Sequence, residues 1–250
     1  VSYGYSSKLS VGTIVSGEKH LELDPKYPPV NKKQGIAFVH GASYDALYCI
    51  GEFGLQGQLT NRIVGDGFCA TSDDNGGPQT WGNDSAVTKI ASAVTALQAR
   101  PNAKAGAKVA LVSTSMGFQN SLNYTLANPT KVSCLVSIIP VINVEDMRAN
   151  NRGGVAAAIN AAYSGTYSDA AVGATKNPYN YRANSLIANI PMLLFYGSTD
   201  ALCLPTYTQQ FAAAAPTMRT AIQVTGGHED ITYRNVDYNQ ILLFLNTYAI

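Results

Sequence analysis

Lys108-Val109-Ala110-Leu111-Val112-Ser113-Thr114-Ser115-Met116-Gly117-Phe118 is the stretch from which the rest of the 250-residue chain is read. The apolar run Val109 to Val112 has the character of a central strand buried on both faces. It stops at a cluster of small residues, and apolar positions then recur at helical spacing (Phe118, Leu122, Leu126). A strand, an abrupt turn and a helix with a serine at the apex form the setting in which a hydroxyl is held out above a sheet. So tight a turn needs small residues two before and two after the apex, and Ser113 and Gly117 occupy those places. Ser115 is therefore the candidate nucleophile. The N–H of Met116, opening the helix, would face a developing oxyanion, which the helix N-terminus also favours. Taken alone, the stretch also reads as an ordinary Ser- and Thr-rich helix cap.

The bulk composition narrows the field. With 46% hydrophobic residues the chain can bury one sizeable core, and an α/β domain of this length is commonly a single unit. A single domain is expected over residues 1–250. The formal net charge is +1, only 13% of residues are charged and no basic run exists, which argues against nucleic acid or an anionic membrane surface as a partner. No apolar stretch approaches the ~20 residues that span a bilayer. The chain starts at Val1 without an initiator Met or a basic-then-apolar leader, as a mature secreted product, a trimmed chain or a domain of a longer protein would. Few lysines, fifteen Tyr and many Asn, Ser and Thr suit an extracellular or virion-exposed surface. Cys49, Cys69, Cys134 and Cys203 make neither a CxxC pair nor a zinc spacing. A disulfide from Cys49 to Cys69 or to Cys203 stays open, and with it the redox compartment.

Along the chain, Lys8 to Val15 and His20 to Leu23 read as a hairpin broken at Ser16-Gly17-Glu18. Gly35 to Val39 is a buried-strand run that ends in His40-Gly41-Ala42-Ser43. A glycine there lets the backbone approach a substrate, so that the Ala42 N–H can point inward as a second oxyanion donor. A helix over Leu55 to Val64 and a short strand at Phe68 to Thr71 follow. The loop Ser72 to Pro78 carries turn residues whose carboxylates do not have EF-hand spacing. Trp81, the only tryptophan, comes just after it. Asn83-Asp84-Ser85 caps a helix that runs to about Ala99, with Val87, Ile90, Val94 and Leu97 on one face. A strand from Val132 to Ile142 precedes residues 143–189, which are rich in Ala, Asn and Gly and carry Tyr163, Tyr167, Tyr179 and Tyr181. This segment is expected to be a lid insertion whose aromatics face substrate. Asn83-Asp84-Ser85 and Asn123-Tyr124-Thr125 match a glycosylation pattern that is common by chance.

The chain returns with the apolar strand Pro191 to Tyr196 and Gly197-Ser198-Thr199-Asp200. A helix at Thr206 to Ala214, a strand at Thr220 to Val224, Gly226-Gly227-His228-Glu229-Asp230 and a helix from Asn235 to Tyr248 complete it. Strands alternating with helices at this spacing predict an α/β fold with a doubly wound, mostly parallel sheet. Ser115, Asp200 and His228 each fall just past the C-terminal end of a predicted strand, where open α/β sheets place their ligands. A neutral serine is a weak nucleophile, so His228 would take its proton while Asp200 fixes the imidazole tautomer. His20 precedes the core strands and His40 fits the oxyanion loop, leaving His228 as the base. Glu145 and Asp146 are alternative acids, whereas Glu229 and Asp230 are too close in sequence to His228.

His40-Gly41, Ser113-x-Ser115-x-Gly117, Asp200 and His228 together resemble the α/β-hydrolase superfamily, from about residue 35 to the end of the chain. Ser113 departs from the commoner glycine at a place where size is the constraint. The resemblance implies hydrolysis of a small-molecule or polymeric ester through an acyl-enzyme, with no metal and no cofactor. On that frame Ala42 and Met116 are the candidate oxyanion donors, and His40, Tyr44 and Trp81 the candidate substrate contacts. The Trp81-Gly82-Asn83-Asp84 stretch and the lid are also similar to hydrolase domains of phage tail proteins. A peptidase, acyltransferase or lyase on the same fold is a second reading, and a non-catalytic binding or virion structural domain a third.

Overall fold

The computed structural model describes residues 7–13, 18–27, 29–50 and 55–250. Its strands are β1 (Ser7–Thr13), β2 (Lys19–Pro25), β3 (Ile36–Val39), β4 (Ala70–Asp73), β5 (Val109–Thr114), β6 (Val132–Ile138), β7 (Met192–Gly197) and β8 (Arg219–Val224). They form one eight-stranded sheet in the order β1-β2-β4-β3-β5-β6-β7-β8. β2 is antiparallel to β1 and β4, and the other pairs are parallel. The expected first hairpin is therefore present as β1 and β2, and its turn at Ser16-Gly17 lies outside the described residues. Every residue of β3, β5 and β7 is buried, as continuous apolar runs covered on both faces should be.

The sheet is doubly wound. Leu59 and Ile63 of α1 (Leu55–Gly65), Tyr233 of α9 (Asp230–Arg234) and Ile241 and Leu245 of α10 (Tyr238–Tyr248) pack on one face. The other face is covered by Ile90, Val94 and Leu97 of α2 (Asp84–Gln98), Phe118 and Leu122 of α3 (Met116–Ala127), and Phe211 of α8 (Pro205–Ala213). Asn83 caps α2 by accepting from the Ala86 N–H. Full burial of each large apolar side chain contributes roughly 2 kcal/mol, which is what fixes the helices to these faces.

Three expectations differ in detail. The strand expected to reach Ile142 ends at Ile138, because Ile139 takes a positive φ of 50° and Pro140 follows. The helix expected from Asn235 to Tyr248 starts at Tyr238, where the Asp237 side chain caps α10 through the Asn239 N–H, and the short α9, ending at Asn235, precedes it. Asn123 cannot serve as a glycan acceptor in the folded chain, being 3% exposed and bonded through Nδ2 to the Gly82 carbonyl.

Residues 143–189 form an insertion between β6 and β7 containing α4 (Val144–Ala149), α5 (Ala156–Ala162), α6 (Asp169–Lys176) and α7 (Ser185–Ala188). Val144, Met147, Ile159 and Tyr167 from this insertion share a separate apolar cluster with Trp81, Met116, Val141 and Cys203. It thus rests on the C-terminal edge of the sheet, around the end of β5.

Candidate active site

The turn from β5 to α3 is tight enough to force Ser115 to a φ of 49°, a region that non-glycine residues rarely occupy. Its backbone is clamped on both sides: its N–H donates to Ile138, and its carbonyl accepts from Phe118 and Val141. Gly117 shows why the turn admits no side chain two residues on. A Cβ there would lie 2.2 Å from the Val39 carbonyl oxygen and 2.5 Å from that of His40. Ser113, in place of glycine, fits because its hydroxyl is small and donates to the Val136 carbonyl at 3.2 Å. Ser43, Trp81 and Ile139 also have positive φ, so four such residues lie in or beside one cavity wall. Strained backbone concentrated in this way marks a site that the surrounding structure over-determines.

Ser115, His228 and Asp200, expected at three strand ends, are brought together. Ser115 Oγ lies 2.9 Å from His228 Nε2, and His228 Nδ1 lies 2.9 Å from Asp200 Oδ2. An ionised carboxylate only accepts, so Nδ1 carries the proton and Nε2 of the neutral ring accepts from the serine hydroxyl. The second oxygen of Asp200, Oδ1, accepts from the N–H groups of Leu202 at 2.9 Å and Cys203 at 2.7 Å, which fixes the carboxylate. The His228 loop sits directly on the end of β7: the Gly226 carbonyl accepts from Thr199, and Thr232 Oγ1 donates to the Gly227 carbonyl. Glu145 and Asp146, the alternative acids, pair instead with Arg148 and Arg152.

The loop after β3 passes close to Ser115. A Cβ on Gly41 would stand 3.3 Å from the Ser115 Cβ. Among the described residues, no backbone carbonyl accepts from the N–H of Ala42 or of Met116. Asp74 ties this loop down, its side chain accepting from the Ala46 and Lys19 N–H groups. His40 is a correction to the expected substrate contact. It is fully buried, with Nδ1 at 2.8 Å from the Gly41 carbonyl and Nε2 at 2.8 Å from that of Asp74, so it braces the loop and does not line the cavity.

The cavity holding Ser115 and His228 has a volume of about 180 Å³ and an apolar wall that includes Tyr44, Trp81, Ile139, Val155, Leu202 and Tyr233. Tyr44, a candidate substrate contact, stands at this wall and is half exposed. Trp81 is also at the wall but only 1% exposed: its Nε1 donates to Gln79, and its carbonyl accepts from Gln119 and Tyr163. It supports the wall more than it offers a stacking face. The four tyrosines expected to face substrate do not line this cavity. Tyr167 and Tyr181 are buried, Tyr163 bonds to the Trp81 carbonyl, and Tyr179 stacks edge-on with Tyr207. Val155 is the cavity-lining residue from residues 143–189.

Metal-ligand types occur together in one place among the described residues, where donor atoms of Asp200, Cys203 and His228 lie within 4.8 Å of one another. Burial, with the Asp200 carboxylate beside it, pushes the Cys203 thiol well above its ordinary value and keeps it protonated. Both Asp200 oxygens are already engaged, so the trio reads as the His–Asp pair with a buried thiol beside it. All four cysteines are free and buried, and burial pushes Cys49 and Cys134 up to about 12. Sequence reasoning missed Gly197, Tyr233 and Thr114. Of these, only Thr114 carried a local signal, its place beside the apex serine.

No family model matches the chain, and neither does any curated protein. Solved structures do match in fold. An esterase of Pyrococcus furiosus superposes with a TM-score of 0.71 at 16% identity, covering 98% of this chain and 92% of its own. A ferulic acid esterase gives 0.71 at 14% identity, covering 97% of this chain and 99% of its own. A putative dipeptidyl aminopeptidase IV of Bacteroides ovatus gives 0.73 at 15% identity, covering 99% of this chain but 36% of the longer protein. With the strand order described above, these likenesses give the chain the α/β-hydrolase fold. No helix among the described residues is long and apolar enough to cross a membrane.

Proposed function

We propose that this chain is a serine hydrolase of carboxylic esters that works through an acyl-enzyme. The observation that carries the reading is the unbroken hydrogen-bond path from Ser115 Oγ through His228 to Asp200, with both links at 2.9 Å. His228 Nε2 takes the serine proton as Oγ attacks the ester carbonyl carbon. Asp200 holds the ring in the required tautomer and stabilises the imidazolium. The carbonyl oxygen, now negative, is received by the N–H groups of Ala42 and Met116, and each such donor is typically worth about 3 kcal/mol. As the tetrahedral adduct collapses, the ester C–O bond breaks and His228 gives its proton to the departing alcohol oxygen. Water then enters, His228 takes one of its protons, and the acid is released as Oγ regains a proton.

The ester preference is supported by the walls. They are mostly apolar, and among the described residues that line the cavity Glu229 and Asp230 are acidic and none is Lys or Arg, which disfavours anionic substrates. The test is reaction with a fluorophosphonate followed by intact mass and peptide mapping. One adduct on Ser115 is expected, lost in Ser115→Ala while the thermal transition persists. Wild-type protein should turn over short-chain aryl esters faster than the matching anilides. A folded wild-type sample that takes no label and hydrolyses no ester overturns the reading.

A further inference from the structure

We propose that Tyr233 is the floor of the acyl site and limits acyl chain length by sealing off an apolar cavity behind it. This rests on the ester-hydrolase reading above. Tyr233 lines two cavities: the one that holds Ser115 and His228, and a second one of about 20 Å³ on the α1 and α10 face of the sheet. The second is walled by Phe38, Leu59, Val112, Ile138 and Tyr238, among others, and among the described residues no charged one lines it. Room of that size accepts a water molecule and no acyl chain. It becomes useful space only if Tyr233 is removed.

The two cavities are next to each other along the same strands. Ser113 lines the inner one and Thr114 the outer; Ile138 lines the inner one and Ile139 the outer. The partition is thus one residue from the nucleophile in sequence. Tyr233 is pinned in place, its hydroxyl bonded to Thr114 Oγ1 and 3.5 Å from the Tyr48 hydroxyl, and only 7% of the residue is exposed. A chain leaving the carbonyl carbon at Ser115 past Thr114 meets the phenol ring. The native site therefore takes short acyl groups, and a shortened side chain at 233 should let longer ones pass into the apolar space.

The experiment compares kcat/KM for p-nitrophenyl acetate, butyrate, hexanoate and octanoate in wild type and Tyr233→Ala. Each methylene newly buried should raise kcat/KM by about fourfold. The octanoate-to-acetate ratio should therefore rise at least tenfold or so in Tyr233→Ala, while wild type falls off beyond butyrate. Adding Leu59→Phe to Tyr233→Ala refills the inner cavity and should pull the ratio back. If Tyr233→Ala does not fold, Tyr233→Leu keeps an apolar side chain in α9, shortens the floor and should shift the ratio in the same direction. A folded variant at 233 that is labelled on Ser115 but keeps the wild-type chain-length profile overturns this proposal alone. Wild type that hydrolyses no ester and takes no label overturns both this proposal and the reading it rests on.

Discussion

Gly197, the last residue of β7, is where a single added methyl should separate His228 from Ser115. A Cβ at 197 would lie 2.5 Å from the Gly226 carbonyl oxygen and 2.6 Å from that of Gly227. Comfortable non-bonded separations are about 3.5 Å, so the loop must retreat by about 1 Å. It cannot do so freely, since the Gly226 carbonyl is bonded to Thr199 and that of Gly227 to Thr232. His228 follows directly, and its 2.9 Å link to Ser115 is lost when stretched beyond about 3.5 Å. A misplacement of this size costs roughly 10²-fold in rate. Forcing the methyl between the segments should also cost about 1–3 kcal/mol of stability, or roughly 2–4 °C in Tm for each kcal/mol. Gly227→Ala is the matched control. It is nearer to His228 in sequence, yet a Cβ there would have nothing closer than 3.6 Å. Short-chain aryl ester kinetics, the fluorophosphonate labelling rate and thermal unfolding would be measured on both variants. The reasoning predicts a slow, less stable Gly197→Ala and a near-normal Gly227→Ala. Equal damage in the two, or full activity in Gly197→Ala, would refute it.

Two further outcomes follow from the polar pairs. Asp200→Asn can still accept from Leu202 and Cys203, but it presents an amide to His228 Nδ1 and favours the wrong tautomer, so kcat should fall by about 10⁴ with the fold intact; an activity loss below tenfold would remove Asp200 from its role. Away from the cavity, burial by itself depresses the His20 imidazole, but the Asp73 carboxylate at 2.7 Å, with Glu22 behind it, outweighs burial and raises it above its ordinary value. Burial raises Asp73 as well, so the folded pair holds its proton more tightly than the unfolded chain does. Its stabilisation is then full below the unfolded imidazole value of about 6.5 and fades as pH rises through the raised folded value. Denaturant midpoints of wild type and His20→Gln across that window should converge as pH increases, and a pH-independent gap between them would contradict the assignment.

The parts of the site that were legible in the sequence are those whose cause is local. Ser115 is flanked by residues that must be small because β5 turns into α3 within one residue, and that constraint is written at positions 113 and 117. Asp200 follows the apolar run of β7, every residue of which is buried, so its place at the sheet's edge follows from the run itself; His228 follows β8, a partly exposed edge strand of mixed composition, and is legible from the glycine turn that ends it. What stayed hidden depends on segments distant in sequence. Gly197 ends its strand as many glycines do, and nothing local shows that residues 226 and 227 rest on it. Tyr233 reads as one more aromatic in a helix until Thr114 is found against its hydroxyl. The same reasoning explains the errors. Tyr163, Tyr167 and Tyr181 have the composition of a substrate-facing surface, but the insertion needs a core of its own where it rests on the sheet, and these rings supply part of that packing and its hydrogen bonds. His40 has the right address for chemistry but is buried between the Gly41 and Asp74 carbonyls, each 2.8 Å from a ring nitrogen. Its contribution is therefore indirect. On the proposed reading, the geometry that Ala42 would offer an oxyanion depends on a histidine buried away from the cavity, just as the reach of His228 would depend on the missing side chain at 197.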